Sequence, residues 1–365
     1  MNTSISKNKP ISLALSGGGI RAMVFHLGVL RVLAERGLLE EVHRISTVSG
    51  GSLLIGLMLK EAEMQWPTST QFLNEIYPTL REKLCSRSLQ WGAVRQLLKP
   101  QNWQFLFSRA NLLALALKQE WEIIEHLDNL PQTPEWSING TTAENGKRFR
   151  FKRNSIGDYT IGYAAPGKFP LANALAVSAA FPGGFGPLQI DTTEFQWFKR
   201  SSWNAPTGEE QKIDLSFRQL HLYDGGVYDN LGLEPLFDGG NGKPKHRGEL
   251  IIVSDAGAPL KTGFSYFALN PFRLARVADI MSDQTRALRV RSFANFLKQE
   301  PFGGAYLYIN SPVTEGLECE SSRFAAGFPT TLRKLKHNEF DLLAEHGYRV
   351  TLQVETQYGL TKPNV

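Results

Sequence analysis

The sequence contains little cysteine and no long apolar run. Cys85 and Cys319 are far apart in the 365 residues and have no metal-ligand spacing, so we expect neither a disulfide framework nor a zinc motif. Long apolar stretches, such as ALAVSAAF at 174–181, fall far short of the roughly 18 residues of a membrane span. The apolar run at 11–15 is too short for a signal-peptide core. We therefore expect a mature cytoplasmic protein, with peripheral membrane association as an option.

The sequence also has little excess charge. Lys and Arg number 40 against 35 Asp and Glu, giving +5, and the positive charge is not gathered into a tail. Nucleic acid is therefore not expected as a partner, whereas weak attraction to anionic membrane surfaces remains open. No His, Cys and carboxylate cluster has ligand spacing, so no metal or other cofactor is expected. Apolar residues make up 42%, which is typical of a globular protein.

Strand and helix patterns alternate in the first sixty residues. ISLAL (11–15) is a short apolar run that predicts a buried strand, and apolar residues at helical spacing follow over 20–36. HRISTV (43–48) predicts a second strand, and 53–63 a second helix. This β-α-β-α order indicates a parallel sheet covered by helices.

The later sequence predicts additions to this core. Residues 64–130 combine three prolines with amphipathic stretches, which predicts a helical insertion over the sheet. Asn145-Gly146 between two strand-like runs predicts a hairpin. FRQLHLYDGG and GELIIVSDAG read as strands, and about 265–350 as a C-terminal helical region. Polar residues just past strand ends in a parallel sheet are candidates for a ligand site.

A glycine run follows the first predicted strand. Gly17, Gly18 and Gly19 let backbone N–H groups point into a concavity at a helix N-terminus, which suits a phosphate or the oxyanion of an acyl-transfer intermediate. Arg21 would strengthen either site. No Gly-Lys-Ser/Thr closes a Walker loop, but the near match to Gly-x-Gly-x-x-Gly, with Ala22 in the third place, leaves dinucleotide binding open.

Ser49 follows the second predicted strand and precedes a helix, the context of a nucleophile elbow. The Gly-x-Ser-x-Gly pattern is incomplete, because Thr47 stands at the first glycine position while Gly51 supplies the second. A threonine there has to be tolerated by a small residue facing it. The alternative is that Ser49 only caps the following helix. From this stretch alone the two interpretations are equal.

A nucleophilic serine needs a base within hydrogen-bond reach. His337 and His346 could serve in an α/β-hydrolase order, but their polar helical surroundings predict solvated surface positions. Asp224, between a strand and two glycines, is better placed, although an Asp-Gly turn is the alternative. Asp255 is a second carboxylate at a strand end, for which a loop-structuring role is the commoner one.

Four further polar residues are expected to have structural roles. His26 and His43 are interpreted as packing residues of a helix and a strand, and Asp229 and Asn230 as caps of a short helix.

Taken together, these motifs resemble the patatin-like phospholipase family. GGGIRA, then SGGS and a distant DGG occur in the family's order. FHLGVLRVLAERGLL, WSINGTTAENGKRFRF, ALAVSAAFPGGFGP and FPTTLRKLKHNEFDLLAEHG resemble further family blocks. The resemblance covers most of the chain except 64–130 and about 189–215.

The resemblance implies a fold, an activity and site residues. The fold is α/β, a single three-layer α/β/α domain over 1–365 with a mainly parallel central sheet. The activity is that of a phospholipase A-like lipid acyl hydrolase with a covalent acyl-enzyme and no histidine. Ser49 matches the nucleophile, Asp224 the base, and Gly17–Gly19 with Arg21 the oxyanion loop.

Two rivals and two membrane segments complete the expectations. A nucleotide-binding protein could use the Gly17–Gly19 loop, and a non-catalytic lipid-binding protein would not need Ser49. EFQWFKRSSW at 194–203 places aromatic residues beside Lys199 and Arg200, which suits a headgroup boundary. The segment 285–298, with Arg286, Arg289 and Arg291, is a second candidate. A hairpin packed on its own sheet and a solvated helix face are the respective alternatives.

Overall fold

The structure is a computed structural model that describes residues 9–105, 108–180, 186–202, 208–264, 272–313 and 318–358. Its strands in these ranges are β1 (Ile11–Leu15), β2 (Val42–Thr47), β3 (Glu135–Thr142), β4 (Arg148–Phe151), β5 (Ile156–Asp158), β6 (Gly162–Ala164), β7 (Leu188–Asp191), β8 (Trp197–Lys199), β9 (Gln211–Ile213), β10 (Gln219–Asp224), β11 (Phe237–Asp238), β12 (Lys243–Pro244), β13 (Leu250–Asp255) and β14 (Gly304–Tyr308).

The α-helices in the same ranges are α1 (Gly19–Glu35), α2 (Gly50–Glu61), α3 (Ser69–Gln71), α4 (Tyr77–Ser86), α5 (Leu89–Leu97), α6 (Arg109–Glu120), α7 (Leu171–Ser178), α8 (Gly226–Asp229), α9 (Phe272–Gln299), α10 (Glu318–Gly327) and α11 (His337–Tyr358).

One large mixed sheet organises the chain. Its first half is parallel, in the order β14-β13-β1-β2-β3. From β3 it continues antiparallel through β4, β5, β6, β8 and β9. Strand β10 pairs antiparallel with the end of β3 and with β7.

Alternating side chains of the parallel strands feed two separate cores. Leu13 and Leu15 of β1 join the larger core under α1 and α2, whereas Ala14 between them joins a smaller core with Phe293 and Phe296 of α9. Because successive strand residues point to opposite faces, helices cover both faces of the sheet. The predicted three-layer α/β/α fold with a mainly parallel central sheet is confirmed.

Most predicted elements occur, with shifted ends. The structure has helices from α3 to α6 within the predicted insertion at 64–130, and β3 and β4 flank Asn145-Gly146. One expectation was wrong. Strand β10 runs antiparallel to β3, so Asp224 does not follow a parallel strand. In the helical region predicted at about 265–350, the structure has α9, α10 and part of α11, and β14 adds a parallel edge strand beside β13 that was not predicted.

Elements from both ends of the chain meet. Helix α11 packs along α1, where a Cβ added to Gly28 would lie 2.0 Å from the Ala344 carbonyl oxygen. Since β13 and β14 also complete the sheet that β1 begins, we propose that the chain is one domain. None of the helices in the described ranges is both long enough and apolar enough to traverse a bilayer.

Candidate active site

Ser49 follows Val48 in the short turn between β2 and α2 and has a strained backbone conformation. Its φ of 48° and ψ of −116° lie outside the regions that L-residues ordinarily occupy. Although Ser49 is the N-cap residue of α2, its side chain makes no capping hydrogen bond. The helix-cap interpretation is therefore wrong, and the hydroxyl is left for another partner.

A chain of side chains below the turn holds Ser49 in place. The Ser49 N–H donates to both the carbonyl oxygen and the Oγ of Ser178, each at 3.0 Å. Ser178 Oγ lies 2.8 Å from Ser52 Oγ, which in turn lies 2.7 Å from Thr47 Oγ1. Trp136 Nε1 donates to Thr47 Oγ1 at 2.9 Å. Thr47, in place of the elbow glycine, is thus accommodated by a small residue, Ser52, and satisfied by hydrogen bonds.

The glycines after Ser49 are required by close backbone contacts. A Cβ on Gly51 would lie 2.5 Å from the Leu15 carbonyl oxygen, and one on Gly50 would lie 2.3 Å from the Gly19 carbonyl oxygen. Any side chain there would push α2 away from β1 and from the glycine loop. Gly51 is therefore an elbow glycine for a steric reason.

Asp224 is buried beside Ser49. Its Oδ1 accepts the Gly226 N–H at 2.7 Å, and the carboxylate is close enough to the Ser49 hydroxyl for that group to lower its pKa. Burial raises the pKa of Asp224 to about 7, while the hydrogen bonds from Gly226 and Ser49 oppose that rise. A carboxylate with a pKa near neutrality is a far better proton acceptor than an ordinary aspartate.

The Asp224 backbone is fixed on both sides. The Asp224 N–H donates to the Ala180 carbonyl at 3.2 Å, and Thr141 Oγ1 donates to the Asp224 carbonyl at 2.8 Å. Ser178 ends α7 and Ala180 lies two residues later. This one segment therefore holds the backbone of both Ser49 and Asp224.

The glycine loop lies directly over Ser49. A Cβ on Gly17 would lie 3.1 Å from the Ser49 Cβ. The Gly17 N–H donates to the Asn230 carbonyl at 3.0 Å, so it is not available to a ligand. In the part of the chain that the structure describes, the N–H groups of Gly18 and Gly19 have no protein acceptor. These two N–H groups, at the start of α1, are the candidate oxyanion donors.

Arg21 supports the loop from behind. Its guanidinium is buried and donates to the carbonyl oxygens of Ala256 and Phe328. Burial lowers its pKa to about 10. The guanidinium also lies beside the glycine loop, with Nη2 3.0 Å from the position of a Cβ on Gly18, so the strengthening of an anion site by its charge stays a prediction.

The candidate histidines lie in other surroundings. His337 is exposed at the start of α11, as expected, but His346 is buried with Nε2 2.6 Å from the Ile309 carbonyl oxygen. The solvated position expected for His346 is therefore wrong, because α11 packs against α1. His26 is a buried packing residue, with Nδ1 2.6 Å from Ser254 Oγ. His43 is exposed, which contradicts the packing role predicted for it.

The second carboxylate, Asp255, is fully occupied. Its Oδ1 accepts the Gly257 N–H at 2.9 Å, and its Oδ2 accepts Arg286 Nε at 2.7 Å and the Tyr306 hydroxyl. These contacts fit the structural role expected for it.

Asn230 is a site residue that the sequence interpretation missed. Its Oδ1 would lie 2.3 Å from a Cβ on Gly17 and 2.8 Å from one on Gly226, so it fills the space between the glycine loop and the Asp224 turn. Asp229 was predicted to cap the next helix. Its carboxylate instead accepts the N–H groups of Leu231 and Glu234, in the turn that follows α8. Neither Asn230 nor Ser178 was assigned to the site from the sequence, because Ser178 contacts Ser49 and Asn230 contacts Gly17 across more than 120 residues.

A cavity of about 690 Å³ opens above the pair, a volume typical of small-molecule sites. Ser49 and Gly19 lie in its lining. Apolar residues of the helical insertion form one side, namely Ala93, Val94, Leu97 and Leu112. The arrangement combines a serine beside a buried carboxylate, two N–H groups without a protein acceptor in the described residues, and an apolar compartment.

Most cations of the two segments predicted to meet a membrane contact other parts of the protein. At 194–203, Trp197 is buried in β8, Arg200 pairs with Glu210 at 3.1 Å and Lys199 Nζ donates to the Thr160 carbonyl oxygen, while Trp203 lies outside the described residues.

In α9, Arg286 pairs with Asp255 at 2.7 Å and Arg289 pairs with Asp229 at 3.4 Å. Arg291 is exposed, and its Nε donates to the Ala287 carbonyl oxygen of the same helix at 3.2 Å.

Comparison with solved structures finds proteins with the same fold. The solved structure of human GIVD cytosolic phospholipase A2 has the same fold, with a TM-score of 0.58 at 14% identity over 96% of this chain and 59% of that chain. The same human enzyme in complex with methyl gamma-linolenyl fluorophosphonate gives a TM-score of 0.57 at 14% identity over 99% and 59%. This chain therefore spans less than two thirds of the length of those chains.

Sequence comparison gives the family. No curated protein matches the sequence. Residues 13–237 match the family model described as patatin-like phospholipase, which is more than half of the chain. The chain belongs to the patatin-like phospholipase family.

Proposed function

We propose that the protein is a lipid acyl hydrolase of the phospholipase A type that uses a Ser49–Asp224 dyad. The observation that carries the proposal is a strained serine beside a buried carboxylate, whose burial raises its pKa to about 7, next to an apolar cavity. Family membership supports a lipid ester as the substrate, as does the fold shared with a human cytosolic phospholipase A2. The substrate would reach the site from a membrane surface.

The reaction would proceed in two steps. Ser49 Oγ attacks the ester carbonyl carbon while its proton passes to Asp224, and the tetrahedral intermediate collapses to an acyl-Ser49 ester. The leaving alcohol takes the proton from Asp224. Water then attacks the acyl-enzyme with Asp224 as base, releasing the fatty acid and restoring Ser49.

The negative charge on the carbonyl oxygen would be stabilised by the loop. The free N–H groups of Gly18 and Gly19 are the proposed donors, and in other acyl-transfer enzymes each such donor contributes about 3–4 kcal/mol. Asn230 and Arg21 would act indirectly, by holding the loop at its distance from Ser49.

The rival functions have less support. Backbone atoms pack against the loop, since a Cβ on Gly18 would lie 2.9 Å from the Ala256 carbonyl oxygen and one on Gly19 would lie 2.6 Å from that of Thr331. This leaves room for a single oxyanion more readily than for a dinucleotide pyrophosphate. A non-catalytic lipid-binding protein would have no use for the strained Ser49 backbone.

Labelling with a long-chain fluorophosphonate tests the proposal. We expect one covalent adduct on the wild-type protein by intact-mass spectrometry, and none on Ser49→Ala. The exposed-serine control Ser86→Ala should label as the wild type does. Hydrolysis of a soluble ester should fall about a thousandfold or more in both Ser49→Ala and Asp224→Asn.

The contrary outcomes are equally clear. An adduct that persists in Ser49→Ala would place the nucleophile elsewhere. Full esterase activity in folded Asp224→Asn would remove Asp224 as the base.

A further inference from the structure

Helix α5 carries an exposed apolar stripe beside the candidate active site. Trp91, Val94 and Leu98 recur at i, i+3 and i+7, so they share one face of the helix. Trp91 exposes 64% of its surface and Leu98 exposes 76%, while Val94 is also part of the cavity lining. Trp103 follows, 64% exposed, with its indole N–H satisfied by the Leu97 carbonyl at 3.0 Å. We call these four residues the α5 rim.

Helix α9 has a similar stripe. Leu274, Val277 and Met281 repeat the i, i+3, i+7 spacing and are all exposed, with Leu274 81% exposed. Phe293 and Phe296, near the C-terminal end of α9, pack into the smaller core, whereas the three stripe residues belong to neither core. We call these three exposed residues the α9 rim. Helix α9 reaches the same cavity through Asp279.

The α5 rim therefore borders the cavity that holds Ser49 through Val94, and the helix that carries the α9 rim borders the same cavity through Asp279. An exposed apolar surface of this kind normally marks an interaction site, and it costs solubility when left in water. A protein that covered both stripes would also cover the cavity between them and bar a substrate. A bilayer would instead bury the stripes and supply the substrate.

The residue types agree with a bilayer. Tryptophan is enriched at the boundary between headgroups and acyl chains, where its ring is buried and its N–H stays near polar groups. Of the two cations next to the α5 rim, Arg95 pairs with Glu120 at 2.6 Å, while Lys99 is exposed with its Nζ 3.5 Å from Gln119 Oε1. On a bilayer without net charge, the attraction should therefore come from the apolar side chains.

We propose that the α5 rim and the α9 rim form the face that docks this protein on a zwitterionic phospholipid bilayer. Docking would place the mouth of the cavity against the lipid surface. This inference rests on the proposed function for its purpose, but its binding measurement does not depend on catalysis.

Vesicle binding tests the proposal directly. The measurement uses Ser49→Ala as background, so that no lipid is consumed, with flotation of phosphatidylcholine vesicles as the readout. We expect Trp91→Ser, Leu98→Ser and Leu274→Ser each to lower the partition coefficient about tenfold, because each removes one large apolar side chain from the bilayer. Ile124→Ser and Phe302→Ser are matched controls, 68% and 61% exposed in the native protein, and should bind within about twofold of the background.

Hydrolysis separates docking from catalysis. In the active protein, the rim variants should lose hydrolysis of vesicle lipid about tenfold and keep hydrolysis of a soluble short-chain ester. If the wild type hydrolysed neither substrate, the proposed function would fail, while the binding result would still decide the docking face.

Three outcomes would overturn the docking proposal. They are rim variants that bind vesicles as the controls do, a wild type that does not float with phosphatidylcholine vesicles, and a wild-type dimer that the rim substitutions convert to monomer. The last would assign the rims to contact between two copies of the chain.

Discussion

An aspartate accepts a proton from a serine only if its ionised form is destabilised. Asp224 meets this condition by burial, and it keeps two hydrogen bonds, from Gly226 and Ser49, that orient it. The pKa of about 7 follows from that balance. Below this pH the carboxyl group is protonated and cannot accept the Ser49 proton.

The activity should therefore rise with pH. We expect kcat/KM for a soluble ester to increase through an apparent pKa near 7 and to level off above it, because the free enzyme needs the ionised carboxylate. The measurement is a pH profile from 5 to 9, with circular dichroism at each pH to show that the fold persists. A profile that is flat across this range would mean that Asp224 is not the base.

At the residue scale, local patterns predicted some of the site. Ser49 and Asp224 stand beside glycines in recognisable turns, which made them candidates. The family resemblance was needed to favour catalysis over a helix cap and an Asp-Gly turn. Asn230 and Ser178 could not be assigned to the site, because they matter through contacts with Gly17 and Ser49, which the chain brings together only by folding. Arg21 was also a candidate from the sequence. Its hydrogen bonds to the carbonyl oxygens of Ala256 and Phe328 could not be predicted, because both residues are distant in the chain.

At the scale of the element, the turn between β2 and α2 is held in place by close backbone contacts with β1 and with the start of α1. The Gly51 position contacts the Leu15 carbonyl, and the Gly50 position contacts the carbonyl of Gly19. A strand, a helix start and the glycine loop are thereby held at fixed distances. The position of the candidate oxyanion donors over Ser49 is a consequence of this contact.

Enlarging Gly51 should disturb both stability and activity. In Gly51→Ala the new Cβ would lie 2.5 Å from the Leu15 carbonyl oxygen, so backbone must move, at a cost of roughly 1–3 kcal/mol. We expect a lower free energy of unfolding in chemical denaturation and reduced esterase activity. Gly327→Ala is the control, because no atom lies within 4 Å of its added Cβ and its backbone needs no positive φ. Equal stability of the two variants would show that the elbow contact is unimportant.

The sequence predicted helices and strands well where the residue pattern is local. It predicted them poorly where pairing with a distant strand determines the direction or the presence of a strand. The opening β-α-β-α order was correct because its strands are apolar runs and its helices are periodic. The direction of β10 could not be read from its sequence, since it depends on pairing with β3 and β7. Strand β14 was missed because it is a short edge strand between helices, paired to β13 alone among the described strands.

On the scale of the whole molecule, the family match ends before the fold does. The match covers residues 13–237, whereas β13, β14 and the last three helices follow. Strand β13 lies between β1 and β14, so the strand that carries the glycine loop depends on residues after the match. Helix α11 closes over α1 from the other end of the chain.

This closure makes a last prediction possible. Helices α1 and α11 approach at glycines, since a Cβ on Gly28 would lie 2.0 Å from the Ala344 carbonyl oxygen and one on Gly347 would lie 2.1 Å from that of Phe25. If the chain is one domain, calorimetry of the wild type should show a single unfolding transition. Gly28→Ala should lower that whole transition, at a cost of roughly 1–3 kcal/mol, because separating the two helices loosens both ends together. Gly239→Ala, where no atom lies within 4 Å of the added Cβ, should leave it unchanged. Two transitions, with one unaffected by Gly28→Ala, would instead mean that the C-terminal elements unfold independently of the sheet that holds Ser49.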